Sequence, residues 1–131
     1  MNDYKNKITS LNLKSKPIFD IEDHLKYTKD WRGQYIGDAI AILKPHDKYE
    51  VSKILKFAND NEISIVPQGG NTSLCGGATP LKNSFSIIIS TEKMNNIISI
   101  DKESMTITLE PGVILSIIPV SYTHLTLPTN C

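Results

Sequence analysis

Apolar positions along the chain come in short blocks whose period changes from one block to the next. Ala39–Leu43 (AIAIL) is a continuous apolar run that stops at Lys44-Pro45, the pattern of a short buried strand whose end a proline sets. In the following block, Val51, Ile54, Leu55 and Ala58 recur at helical spacing. Asp47 stands where an N-cap belongs, and Glu50 three residues on completes a capping box. A helix is therefore predicted over about Lys48–Asn59, ending at Asn59-Asp60-Asn61. Ile63–Val66 reads as a second strand, and the connection is long enough for a parallel, right-handed crossover. Ser86–Ile89 is a third strand. Ile97–Ile100 and Met105–Leu109 are two arms around the polar tetrad Asp101-Lys102-Glu103-Ser104, which reads as a hairpin turn. In the second arm Met105, Ile107 and Leu109 are expected on one face, with Thr106 and Thr108 on the other. Val113–Ile118 is expected to begin a helix, although it never acquires a polar face.

Ahead of the first strand, residues 1–17 are polar and end at Pro17, as either a mobile arm or a first short helix. Asp20–Lys29 has the spacing of a short helix with Ile21 and Leu25 together on one face and His24 expected on an exposed one. Asp20, Glu22 and Asp23 are read as a solvated helix start, favoured by the macrodipole. His46 is expected at the surface, and Trp31 is expected to pack the N-terminal segment against the domain. The whole pattern is α+β with a βαβ start. It divides into an N-terminal segment (1–36), a domain (37–118) and a tail (119–131).

Composition narrows the function classes. A chain of 131 residues is one domain or part of one. Fourteen basic and fourteen acidic residues cancel, so no global field exists to hold nucleic acid or an anionic membrane, and no apolar run is long enough for a membrane span. The two cysteines, Cys75 and Cys131, cannot build a disulfide framework, and no C-x-x-C is present for zinc. The polar N-terminus lacks the apolar core of a secretory signal, so a cytoplasmic protein is expected. Nineteen Ile, thirteen Lys and ten Asn against one Arg reflect the base composition of the coding DNA rather than chemistry.

The informative segment is Pro67–Pro80, PQGGNTSLCGGATP, in which four of fourteen residues are glycine. Glycine permits positive φ and close approach by another group, and successive backbone N–H groups can then converge into an anion-binding nest. Asn71, Thr72 and Ser73 add side-chain donors, and no acidic residue lies between Glu62 and Glu92. A phosphate or dinucleotide site and a tight turn without a ligand are both open on these residues alone. The loop is neither a Walker A sequence nor G-x-G-x-x-G. Cys75, inside it, is read as a small semi-buried side chain.

Pro67-Gln68-Gly69-Gly70-Asn71-Thr72-Ser73-Leu74 followed by Gly76-Gly77-Ala78-x-Pro80 resembles the pyrophosphate loop of the FAD-linked oxidases of the vanillyl-alcohol oxidase/p-cresol methylhydroxylase (PCMH) type. The flanks agree in order: Tyr27-x-x-Asp30-Trp31, Leu43-x-Pro45, Glu50-Val51, Ile89-Ser90-Thr91-x-x-Met94-Asn95-x-Ile97 and Glu110-Pro111-Gly112-Val113. Within that superfamily the set is most similar to D-2-hydroxyglutarate and D-lactate dehydrogenases and the glycolate oxidase flavin subunit. The resemblance implies the first subdomain of a PCMH-type FAD-binding domain, a βαβ start followed by the phosphate loop and a small mixed sheet.

It also implies roles. The backbone of Gln68–Leu74 would cradle the FAD pyrophosphate, with Gly69 and Gly70 allowing close approach, Asn71 and Thr72 donating, and Pro67 fixing the strand exit. Gly76, Gly77 and Ala78 would pass beside the flavin ring or ribityl chain. Ser90, Thr91, Met94 and Asn95 would contact the cofactor again. No histidine lies between Pro67 and Pro80, so FAD is expected to be non-covalent. The implied parent enzyme oxidises a D-2-hydroxy acid, passing hydride to flavin N5 and thence electrons to an acceptor, and its catalytic residues lie in a substrate domain outside this chain. Other enzymes on the same scaffold, of the UDP-N-acetylenolpyruvoylglucosamine reductase or alkylglycerone-phosphate synthase kind, and a non-enzymatic nucleotide-binding module are the alternatives.

Val120–Thr129, VSYTHLTLPT, resembles the translation of a transposase-type sequencing adapter at every position. The chain is accordingly expected to be an inactive, aggregation-prone fragment of a longer protein.

Overall fold

The structure, a computed structural model, describes residues 2–118, so the adapter-like tail lies outside the described residues. Asp47 opens the longest helix: α1 (Asn2–Thr9) and α2 (Ile21–Thr28) are shorter, and α3 runs Lys48–Asp60. The Asp47 Oδ1 accepts the N–H groups of Tyr49 and Glu50, both at 2.9 Å. The other half of the capping box closes differently. The buried Glu50 carboxylate accepts from His46 N–H at 2.8 Å and Lys14 N–H at 2.9 Å, tying the N-terminal segment to the entry of α3. Ile54 and Ala58 are buried as expected, but Leu55 is exposed and Phe57 packs in its place.

Three parallel strands form the main sheet: β1 (Ala41–Leu43), β2 (Ser64–Gln68) and β3 (Ser86–Ser90), in the order β1-β3-β2. The strands joined by α3 are parallel but not neighbours, because β3 inserts between them. Strand composition explains the order. All five residues of β3, Ser-Ile-Ile-Ile-Ser, are buried, which suits a centre covered on both faces. β2 carries Pro67, which lacks a ladder donor and is tolerated at an edge. Pro67 therefore sits within β2, opposite Ile89, rather than at the strand's exit.

The alternation of the strands feeds two cores. Ala41, Leu43, Ile87 and Ile89 face Ile54 and Ala58 of α3 and Ile8 of α1, so α1 is a packed helix rather than a mobile arm. Ile42 and Ile88 face Tyr27 of α2 on the opposite side. α2 lies with the face opposite to expectation. Ile21 is 80% exposed and Leu25 is exposed, while His24, Tyr27 and Thr28 are buried. His24 reaches inward because a backbone partner waits there, with Nε2 2.9 Å from the Ile18 carbonyl. His46 is half-buried, its Nε2 2.7 Å from Ser15 Oγ.

The hairpin of β4 (Ile97–Asp101) and β5 (Thr106–Leu109) forms as expected, but as a separate two-stranded antiparallel sheet rather than part of one mixed sheet. Met105 has φ 54°, so it belongs to the turn and not to the strand. In the turn, hydrogen bonds from Ser104 and Glu103 hold the Asp101 carboxyl below its usual range. The helix expected from Val113 starts later, as a 3-10 turn over Leu115–Ile117 with Ile118 in helical conformation, and its continuation lies outside the described residues.

Candidate functional site

The carboxyl ends of β2 and β3 lie side by side, with Gln68 paired to Ser90, and the chain leaves both strands on the same edge of the sheet. Crevices of α/β sheets open at that edge. Here it forms a cleft of about 1010 Å³. Of the sequence-predicted site residues, the cleft brings together Gln68, Gly69, Gly70, Asn71, Thr72, Ser90, Thr91 and Asn95. Gly76 lines a second, smaller groove of about 460 Å³ with Cys75 and Tyr35. Pro67, Ser73, Leu74, Gly77, Ala78 and Met94 line neither. Met94 is buried and its carbonyl accepts Gly112 N–H at 2.8 Å, so it packs the turn behind the cleft. Cys75 is exposed, not semi-buried.

The glycines divide into two groups. A Cβ at Gly37 would stand 1.7 Å from the Pro80 carbonyl oxygen, and one at Gly112 1.9 Å from that of Thr91, so the fold itself demands them. Gly69 and Gly70 are different. Neither has positive φ, and the nearest atom to an added Cβ is 3.9 Å away in each case. Nothing within the described chain needs glycine there, yet both line the cleft. Room for a side chain is thus left empty at both positions, on the wall of the cleft. The backbone N–H groups of Gly69, Gly70, Asn71, Thr72 and Ser73 make no hydrogen bond among the described residues. Asn71 is left-handed at φ 56°, as is Gly76 further along the loop at φ 73°. Open donors in a turn of mixed handedness are the backbone arrangement on which anion nests are built.

The side chains of the loop point elsewhere. Gln68 is 2% exposed, and its Nε2 donates to the Tyr27 carbonyl at 2.7 Å and the Ala78 carbonyl at 2.9 Å. Asn71 Nδ2 donates to the Lys29 carbonyl at 2.8 Å and reaches that of Lys26 at 3.5 Å. Both amides thus cover carbonyls at the C-terminal end of α2, which a helix leaves unpaired. Asn71 therefore spends its side-chain donors on α2, and only its backbone N–H remains for an anion.

The opposite wall was not foreseen. Leu25, Lys26, Tyr27, Lys29, Asp30 and Trp31 all line the cleft. Trp31 is 72% exposed rather than packed. Asp30 is 4% exposed; its Oδ1 accepts Tyr35 N–H at 2.8 Å, and its Oδ2 has no partner among the described residues. Tyr27 donates its hydroxyl to Glu92 Oε1 at 2.8 Å, and Lys44 Nζ lies 3.6 Å from the same oxygen. Burial, then the hydrogen bond and charge of Glu92, push the Tyr27 phenol up to about 12. The motif Tyr27-x-x-Asp30-Trp31 was visible in the sequence, but nothing local showed that it faces the glycine loop. Among the described residues no cluster of His, Cys, Asp and Glu could hold a metal ion.

An edge-of-sheet cleft walled by a glycine loop of open N–H groups, with two glycines the fold does not need, defines an α+β domain with a candidate ligand site at its sheet edge. Residues 39–118 match the model of the FAD binding domain family, and the chain belongs to that family. It is 43% identical over 86 residues to a protein of Schizosaccharomyces pombe named a mitochondrial D-lactate dehydrogenase, covering 66% of this chain and 16% of that one. It is 42% identical over 86 residues to a protein of Oryza sativa subsp. indica named a mitochondrial D-2-hydroxyglutarate dehydrogenase, covering 66% and 15%. The chain thus spans about a sixth of the length of these relatives. In fold it is similar to p-cresol methylhydroxylase, with TM-score 0.77 over 93% of this chain and 24% of that one, at 23% identity. The fold is thus that of a PCMH-type FAD-binding domain, as the loop and its flanks implied.

Proposed function

We propose that this chain forms the diphosphate-holding wall of the FAD site in an oxidoreductase that oxidises a D-2-hydroxy acid. The observation that carries the reading is the pair Gly69 and Gly70, bare where the fold has room for side chains, beside unpaired N–H groups in the cleft. The hydroxy-acid class rests on the names of the two relatives.

The residues present fit the group. The N–H groups of Gly69–Ser73 would hold the diphosphate, with the Thr72 hydroxyl beside them. Ser90, Thr91 and Asn95 would line its continuation along the cleft. Gly77, with no atom within 4 Å of an added Cβ, would leave room for the ring system or ribityl chain. Pro67, Leu74, Gly76 and Ala78 belong to the loop or its strand without lining the cleft, and Met94 packs the turn behind it. When bound, the flavin supplies a two-electron acceptor for the hydride leaving the hydroxyl-bearing carbon. This chain's own part is to bind and orient that group, and no side chain described here is placed as the base. Binding is non-covalent, since no histidine lies in the loop.

No helix among the described residues is long and apolar enough to cross a membrane. The cytoplasm stays part of this proposal, on the scarcity of cysteine, while the two relatives are named as mitochondrial; cell fractionation decides.

The test is a calorimetric titration of the chain with FAD, FMN and NAD, with flavin fluorescence alongside for FAD and FMN and retention of the flavin checked after denaturation. FAD binding that is released on denaturation is expected. Preference for NAD, or no nucleotide binding, overturns the reading. In the whole protein, flavin reduction by D- but not L-2-hydroxy acids is expected; equal reduction by both, or by neither, overturns the substrate class.

A further inference from the structure

We infer that Lys26 and Lys29, at the end of α2, supply the countercharge for the diphosphate held by the glycine loop. The inference rests on reading that loop as a dinucleotide site. The loop needs such help because it brings none itself: no Lys or Arg occurs from Phe57 to Leu81. Its neighbour makes matters worse. The C-terminal carbonyls of α2 face the loop, since those of Tyr27 and Lys29 accept the Gln68 and Asn71 amides. That end of a helix carries partial negative charge and repels an anion. The two amides cover the carbonyls, and a cation is still required.

Lys26 and Lys29 meet the requirement. Both line the cleft, both are exposed, and neither makes an ion pair among the described residues. The same Asn71 amide that reaches their carbonyls fixes this turn against the loop. The Lys29 stem also has a seat. Its Cε lies 2.7 Å and its Nζ 3.4 Å from where a Cβ on Gly33 would stand, so the whole side chain, head included, lies over a bare glycine at φ +71°. The carboxylates of the cleft do not pair with these cations, and the Lys26 Nζ lies over the Tyr27 ring, 5.6 Å from its centroid. Glu92 is engaged by Tyr27 and Lys44, and Asp30 is buried with Oδ1 on Tyr35 N–H.

The experiment compares the wild-type chain with K26Q, K29Q, the double variant and the charge-keeping K26R/K29R, each checked by thermal melting. FAD is titrated by fluorescence, and inorganic pyrophosphate by calorimetry as the bare anion. Each Lys→Gln change is expected to weaken FAD binding about 3- to 10-fold at low salt, the double variant more. The loss should shrink to about 2-fold at roughly 0.5 M salt, where screening is strong. The double Arg variant should bind as wild type. If wild type binds FAD and the double Gln variant matches it, or loses as much at high salt as at low, this inference is overturned and the flavin reading stands. Pyrophosphate binding that needs the lysines, without FAD binding, keeps the inference and removes the flavin reading. Binding of neither ligand by wild type overturns both.

Discussion

Replacing Gln68 by Leu is the sharpest probe of how the loop is held. The side chain is 2% exposed, and its Nε2 bridges the Tyr27 carbonyl at the end of α2 to the Ala78 carbonyl at the far end of the loop. Both partners are carbonyls, so the amide nitrogen must face them. Leu keeps most of the volume and removes both donors. Each hydrogen bond contributes about 1 kcal/mol net, and an acceptor left buried without a partner costs about 1–3 kcal/mol. The Tyr27 bond is buried and the Ala78 bond partly so; water can replace the second, and a total of about 2–4 kcal/mol follows. Against a domain stability of roughly 5–15 kcal/mol that is a large share. Urea unfolding gives the number directly. FAD titration should show weaker binding in the same variant, because both ends of the loop lose their tether. Gln68→Glu adds a control with a sign. A carboxylate donates nothing to two carbonyls, so its folded-state pKa is raised above the unfolded value of about 4.3. Its stability should recover as pH falls through that raised value, when one O–H becomes available. A Gln68→Leu protein within about 0.5 kcal/mol of wild type, the scatter of ordinary surface changes, refutes the bridge. So does a Gln68→Glu protein that is insensitive to acid.

Other consequences are as direct. Gly69→Ala and Gly70→Ala should leave melting unchanged or raise stability by about 0.4–1 kcal/mol, while weakening FAD binding more than about tenfold as the methyl enters ligand space; a destabilised, FAD-competent variant contradicts the glycine argument. Gly112→Ala should do the reverse and unfold the domain, because its Cβ meets the Thr91 carbonyl at 1.9 Å, and circular dichroism reads this. The phenol of Tyr27 is raised to about 12, so its contribution to stability is complete below about pH 10 and lost as pH climbs from there toward 12. Tyrosinate absorbance should show one late-titrating phenol that disappears in Tyr27→Phe. Asp47→Ala should cost about 0.5–2 kcal/mol through loss of the α3 cap, measured by thermal melting.

Short-range pattern was legible in the sequence. α3, its Asp47 cap, the apolar blocks of β1 and β3, and the Asp101–Ser104 turn were all visible because neighbours within a few residues decide them. The glycine loop stood out for the same reason. α2 shows where local reading stops. Ile21 and Leu25 have the spacing of a buried face, but the helix turns His24, Tyr27 and Thr28 inward instead. The Ile18 carbonyl and the Ile42 and Ile88 side chains, which reward that choice, come from other parts of the chain.

The chain's own order of residues thus determined α3 and its cap, the strand cores of the main sheet and the hairpin, and that the glycine-rich stretch after β2 is a loop. Only the tertiary structure decided that β3 inserts between β1 and β2, because a strand buried on both faces needs two partners. That insertion sets Gln68 beside Ser90 and builds the cleft at their common edge. Only the tertiary structure brought Lys26, Lys29 and Asp30 to the loop from about forty residues away, through the amides of Gln68 and Asn71. Helix carbonyls left unpaired at the end of α2 must find donors, and no sequence window is long enough to contain both partners.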